Sequence, residues 1–277
     1  MYVDVEGARL WVEQDGEGIP VVVPTGGGVE FYRRTFSRAL RRDFRFVFVE
    51  MRGTGGSTGS IAGATFASLA DDVEQVRRAL DLGRVFAMGQ SNHGCIAVEH
   101  GLRHPSDCAG VISVASVGDG SRALEIGRRR WEAEATAEQQ RDLASRLAAF
   151  AALGSAPMSA DERGVRMYLS MAPLGWRDTE LAWPCWGGFP GGVGAYLPWL
   201  GSALATWRPA LAALRVPLLA VCGRYDYLCP LETWDGLVAA PATRRIVLEE
   251  SAHNPQIEEQ PRFDALVRAF IREHAPR

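Results

Sequence analysis

The strongest constraint in this chain is a rhythm. Short apolar runs, each about the length of one buried strand, fall at residues 21–24, 44–49, 85–88, 111–114, 218–222 and 246–248. Continuous apolar runs of this kind suit strands covered on both faces, as in a parallel sheet. Between them lie stretches with helical spacing. Phe66, Leu69, Val73, Val76 and Leu80 recur at intervals of three and four, which places them on one face of a helix, and Ser68, three residues before Asp71, reads as its N-cap signal. Phe263, Leu266, Val267, Phe270 and Ile271 repeat the pattern behind Pro261, a residue tolerated in a first helical turn. Residues 2–6 and 9–14 bracket a turn at Glu6-Gly7-Ala8 and predict a β-hairpin. The chain is therefore expected to be α/β, with a mostly parallel central sheet flanked by helices.

Residues 118–212 break the rhythm. They hold helical patterns with little strand character, then a glycine- and proline-rich stretch at 183–192, expected to be a loop. Six of the eight tryptophans (131, 176, 183, 186, 199 and 207) lie here, so the stretch must bury a good deal of apolar surface of its own. Strand character returns at Val216. The expected organisation is a core made of residues 1–117 and 213–277, with residues 118–212 inserted as a helical lid at the sheet edge where sites form.

Composition narrows the function classes. The 277 residues carry a formal charge of −3, and the one dense basic run, Arg128 to Arg130, is followed by Glu132 and Glu134. No clustered basic excess points to a nucleic-acid or membrane partner, so the expected partner is a small-molecule substrate. The five cysteines (95, 108, 185, 222 and 229) are odd in number and form no C-x-x-C pair, which speaks against a disulfide framework or a zinc site. The N-terminal residues have neither the basic start nor the apolar stretch of a signal peptide, and no apolar run would span a bilayer. The expectation is a reduced, cytoplasmic enzyme.

The chemistry is read from three places. In Gly89-Gln90-Ser91-Asn92-His93-Gly94 a strand runs through a glycine into a serine and then a helix, the setting of a nucleophile elbow. A serine hydroxyl needs a base, and the base needs a carboxylate to hold its tautomer. Asp226 follows the run 218–222 and His253 follows the run 246–248, so each lies past the C-terminal end of a strand, in the order Ser, Asp, His. For a developing oxyanion, the amides of Asn92 and of Gly27 in Thr25-Gly26-Gly27-Gly28 are the candidate donors. Thr25, Gly26, His93, Trp183 and Trp186 are candidate pocket residues. His93 has three readings: packing on the sheet, lining the pocket, or a second acid/base. Packing predicts that His93→Gly keeps most activity. His100 and His104 are four residues apart on the elbow helix, but no third ligand accompanies them, and no metal site is expected.

These motifs resemble the α/β-hydrolase superfamily, and within it the proline iminopeptidase and related ester-hydrolase branch. Glu50-Met51-Arg52-Gly53-Thr54-Gly55-Gly56-Ser57 is similar to that branch's D-x-R-G-x-G-x-S segment, with Glu for Asp. Gly223-Arg224-Tyr225-Asp226 with Cys229-Pro230 resembles its acid loop, and Ser251-Ala252-His253-Asn254-Pro255 with Glu258-Glu259-Gln260-Pro261 its histidine loop. The resemblance implies a serine hydrolase with no cofactor. Two departures sit at the centre: the H-G-G-P-G loop is Thr25-Gly26-Gly27-Gly28-Val29, and the G-x-S-x-G-G elbow carries His93 in place of its first trailing glycine. The tryptophans suggest a roomy pocket for a bulky apolar or aromatic substrate. An ester, lactone or amide hydrolase is expected. An aminopeptidase, a tailoring enzyme on a complex metabolite (lactone opening, deacylation or cyclisation) and a slow-turnover ligand receptor are the alternatives.

Overall fold

The computed structural model describes residues 1–186, 188, 190–237 and 242–275. Eight strands form one sheet: β1 (Tyr2–Val5), β2 (Ala8–Asp15), β3 (Pro20–Thr25), β4 (Arg45–Glu50), β5 (Val85–Gln90), β6 (Cys108–Val114), β7 (Leu218–Gly223) and β8 (Thr243–Leu248). Their spatial order is β1-β2-β4-β3-β5-β6-β7-β8. The hairpin β1–β2 and the pair β2–β4 are antiparallel, and every later pairing is parallel.

Strand alternation explains the two-sided core. Val22, Val47, Val49, Val85 and Ala87 point to one face, and Val21, Val23, Phe46, Phe48, Phe86 and Met88 to the other, all buried. Helices cover both faces. They are α1 (Val29–Thr35), α2 (Arg38–Asp43), α3 (Phe66–Ala79) and α4 (Asn92–Arg103), then α5 (Ala123–Glu134), α6 (Ala137–Ala152), α7 (Ala160–Ser170), α8 (Ala172–Gly175), α9 (Ala182–Trp186) and α10 (Val193–Thr206) between β6 and β7, and finally α11 (Pro255–Glu258) and α12 (Gln260–His274). Helices α5 to α10 form the helical insertion.

Three local expectations change. Helix α3 is capped by Thr65, whose Oγ1 accepts from the Ser68 amide at 3.0 Å while Ser68 Oγ accepts from the Thr65 amide at 2.9 Å. Ser68 is thus the third residue of a capping box rather than the cap. The stretch 183–192 is not all loop, because Trp183 to Trp186 belong to α9; Gly187 and Phe189 of that stretch lie outside the described residues. Strand β8 begins three residues earlier than its apolar run, at Thr243. Among the described residues, no helix is long and apolar enough to cross a membrane, and all five cysteines are buried free thiols.

Candidate active site

The C-terminal ends of β3, β5, β7 and β8 converge on one edge of the sheet, where open α/β folds place their sites. Strand β5 ends at Gln90, and Ser91 follows with φ 58° and ψ −134° before α4 begins. A serine in this region costs of order 1–3 kcal/mol, which the surroundings must offset. They do so by tight packing. A Cβ on Gly89 would lie 2.1 Å from the His93 carbonyl oxygen, and one on Gly94 would lie 2.7 Å from Ser116 Cβ. The Ser91 amide also donates to the Val114 carbonyl at 2.8 Å. Gly94 is therefore the second small residue the elbow needs. The position of His93 points elsewhere, which is why a bulky residue fits there.

Asp226 and His253 meet. His253 Nδ1 and Asp226 Oδ2 are 2.8 Å apart, and both residues are buried. The other carboxylate oxygen, Oδ1, accepts from the amides of Leu228 at 2.9 Å and Cys229 at 2.8 Å, which fixes the carboxylate plane. The two loops approach closely because of Gly223, where a Cβ would fall 1.9 Å from the Ala252 carbonyl oxygen. Burial alone would depress the His253 imidazole, but the charge and hydrogen bond of Asp226, together with those of Cys229, outweigh it and raise His253 well above its ordinary value. The His253 backbone is gripped from both sides: its carbonyl accepts from Gln90 Nε2 at 2.9 Å, and its amide donates to the Gly175 carbonyl at 3.0 Å.

Ser91 and His253 line one cavity of about 220 Å³. No hydrogen bond joins Ser91 Oγ to the imidazole among the described residues; such contacts often tighten only when substrate binds. Gly26, Gly27, Asn92, His93 and Trp186 line the same cavity. The amides of Gly27 and Asn92 have no acceptor among the described residues, and both residues line the cavity with Ser91. The insertion and adjoining loops add an apolar wall of Met171, Val193, Leu197, Leu200, Leu204 and Leu228, with Phe31 opposite. Among the described lining residues there is no Asp, Glu, Lys or Arg.

Two expected pocket residues are not brought to this cavity. Thr25 is buried at the end of β3 and does not line it, and Trp183 is half exposed on α9. Nor do the tryptophans make the pocket roomy. Trp131 packs on Tyr227, and Trp199 and Trp207 pack on Phe66, so Trp186 alone of the six lines the cavity among the described residues. Residues that sequence reasoning passed over are Gln90, Phe31, Tyr168, Gly175 and Tyr196. Gln90 carried a local signal, since it lies beside the serine; Tyr196 carried none.

Neighbouring charges are structural. Arg52 is bound by both oxygens of Asp72, at 2.8 and 2.6 Å, rather than open to an anion. Glu50 stands where the resembling family has Asp; its Oε1 accepts from the Val29 amide at 3.2 Å and its Oε2 from the Gly56 amide at 2.6 Å, tying α1 to the turn after β4. His100 and His104 pair with separate carboxylates on α3, Glu74 at 3.3 Å and Asp71 at 2.9 Å. Among the described residues, one set of potential metal donors converges, Asp226, Cys229 and His253, and the Asp226–His253 hydrogen bond already engages two of them.

Comparison with known proteins agrees with this geometry. Residues 19–260 match the family described as alpha/beta hydrolase fold. The AB hydrolase superfamily protein YclE of Bacillus subtilis is 24% identical, with 96% of each chain covered. A proline iminopeptidase of Heyndrickxia coagulans is 25% identical, covering 98% of this chain and 97% of that one. Among solved structures, a thermophilic esterase from Thermogutta terrifontis superposes with a TM-score of 0.70 at 18% identity, covering 97% of this chain and 95% of that one. The strand order, the elbow after β5 and the match over most of its length make this chain a member of the alpha/beta hydrolase fold family.

Proposed function

We propose that this enzyme is a serine hydrolase that opens a compact, uncharged ester or lactone through an acyl-enzyme. Ser91 attacks the carbonyl, His253 accepts the serine proton and later returns it to the leaving group, and Asp226 holds His253 in the required tautomer. The amides of Gly27 and Asn92 receive the oxyanion. Water then repeats the sequence on the acyl-enzyme. The observation that carries the reading is that the strained Ser91 and the His253 bound to Asp226 line one apolar cavity.

The cavity wall bears on the substrate class. An aminopeptidase must hold a substrate ammonium, and an ammonium taken from water into an apolar wall without a carboxylate is strongly disfavoured. The charge-free lining therefore favours esters and lactones over aminoacyl amides, although some relatives are named proline iminopeptidase or probable proline iminopeptidase. The volume, below the ~300–1,000 Å³ usual for drug-sized ligands, favours a small acyl group.

A fluorophosphonate probe tests the nucleophile whatever the natural substrate. Wild type should label and Ser91→Ala should not. p-Nitrophenyl butyrate should then be cleaved faster than a succinyl ester or proline p-nitroanilide. A folded wild type that does not label, or labelling that persists in Ser91→Ala, overturns the proposal.

A further inference from the structure

The elbow carries a second buried polar array. Tyr32 Oη lies 2.6 Å from His93 Nδ1, Tyr196 Oη lies 3.1 Å from His93 Nε2, and Tyr196 Oη also donates to Asn92 Oδ1. All four side chains are buried, and the Tyr196 ring stacks over the His93 ring with centroids 5.9 Å apart. Burial pushes the His93 imidazole down to about 3, so it is neutral at physiological pH.

A neutral imidazole has one N–H and one lone pair, which makes the array directional. The single Tyr196 proton goes to Asn92 Oδ1, so His93 Nε2–H donates to Tyr196 Oη. His93 Nδ1 then carries the lone pair and accepts from Tyr32 Oη–H. The backbone of Gln90 adds a further hydrogen bond to Tyr32 and to His93 at the root of the array. Reversing it would strand the Tyr32 proton, for which no other acceptor is found among the described residues.

The array ends on Asn92, the residue whose amide is assigned to the oxyanion. Tyr196 arrives from α10 of the insertion, and its ring closes on the glycine loop: a Cβ on Gly26 would lie 2.8 Å from Tyr196 Cζ. One side chain of the insertion thus touches both walls of the candidate oxyanion site. We propose that His93 and Tyr196 are positioning residues that hold the Asn92 peptide against the reacting carbonyl, so that insertion docking and oxyanion stabilisation depend on one another. This rests on the assignment of Ser91 and the Asn92 amide above. It also gives a reason for a histidine where the resembling family has glycine: a glycine there would leave both tyrosine hydroxyls without their imidazole partner.

Tyr196→Phe removes one oxygen and leaves the ring in place. It should lower kcat for p-nitrophenyl butyrate about ten-fold, a fraction of the ~10²–10³ lost when a whole oxyanion donor is removed. KM should stay within about two-fold, because the loss falls on the transition state. Affinity for a trifluoromethyl ketone, which forms the tetrahedral adduct, should weaken in parallel with kcat. Asn92→Ala, which keeps the amide, should give a similar loss, and the double variant should be little worse than either alone. If Tyr196→Phe alters only KM or thermal stability, or if the two losses multiply, the inference is overturned while fluorophosphonate labelling of wild type still supports the Ser91 assignment. An unlabelled wild type overturns both together.

Discussion

Replacing Asp226 by Asn tests the candidate triad with almost no change in shape. Asp226 Oδ1 is pinned by two backbone amides, those of Leu228 and Cys229. An asparagine will keep its oxygen on that side, because its NH₂ would meet two N–H donors there. Its NH₂ must then face His253 Nδ1, where Asp226 Oδ2 now sits at 2.8 Å. That makes Nδ1 an acceptor and puts the imidazole proton on Nε2, the nitrogen that must be free to take the Ser91 proton. Loss of the correct tautomer in a serine triad lowers kcat by about 10⁴, equivalent to ~5.5 kcal/mol of barrier. The pH profile supplies a second sign. Activity needs neutral His253, so kcat rises with pH through the pKa of that group, which Asp226 raises above its ordinary value. Without the carboxylate charge, burial dominates and lowers that pKa, so the acidic limb of the residual activity should move to lower pH. The assay is p-nitrophenyl butyrate turnover across the acidic and neutral range, with circular dichroism to show that the variant is folded. A folded Asp226→Asn enzyme within ten-fold of wild type, or one whose acidic limb has not moved, refutes the reasoning.

Two further perturbations probe the frame around the site. Gly89→Ala puts a Cβ 2.1 Å from the His93 carbonyl oxygen, a backbone atom that cannot swing away. The variant should lose about 1–3 kcal/mol in urea unfolding and should no longer label with fluorophosphonate; labelling at the wild-type rate would show that the elbow tolerates what this geometry forbids. Glu258 accepts from the Arg177 amide in the insertion and the Ala252 amide in the histidine loop, at 2.6 and 2.7 Å, and burial raises its carboxyl to about 7 from an ordinary 4.5. The folded state therefore holds this proton more tightly than the unfolded chain, so the stability this group contributes is fully present below about pH 4.5 and is lost as pH rises through 7, by up to about 3 kcal/mol. Urea midpoints measured across that window should slope downward in wild type and flatten in Glu258→Gln; an equal slope in both would assign it to other groups.

What could be read from the chain depended on the distance over which each feature is built. Strands β5, β6 and β7 are buried throughout and β3 at all but Pro20, so their apolar runs stood out. Strand β8 is an edge, and Thr243, Arg244 and Arg245 leave its first half partly exposed and polar, so only its last three residues carried a strand signal. Helices α1 and α2, of seven and six residues, are too short for periodicity to separate them from loop. Ser91, Asp226 and His253 are the candidate triad because each closes a short motif just past a strand, and the structure joins Asp226 to His253. Their setting could not be read in this way, because it is assembled across the chain. Tyr196 meets His93 across 103 residues, and Gln90 meets His253 across 163. Trp183 and Trp186 show the same limit. They sit one helical turn apart on α9 with nothing local to separate them, yet one is half exposed and the other closes the cavity over Gly27. What separates them is a distant partner: Phe31 of α1 packs on Trp186 with ring centroids 5.4 Å apart. Phe31 lies in one of the two short helices that gave no signal. The pocket was therefore harder to read than the candidate triad for a physical reason: the candidate triad is three local turns on a common sheet edge, whereas a pocket is the set of contacts that the insertion makes when it docks.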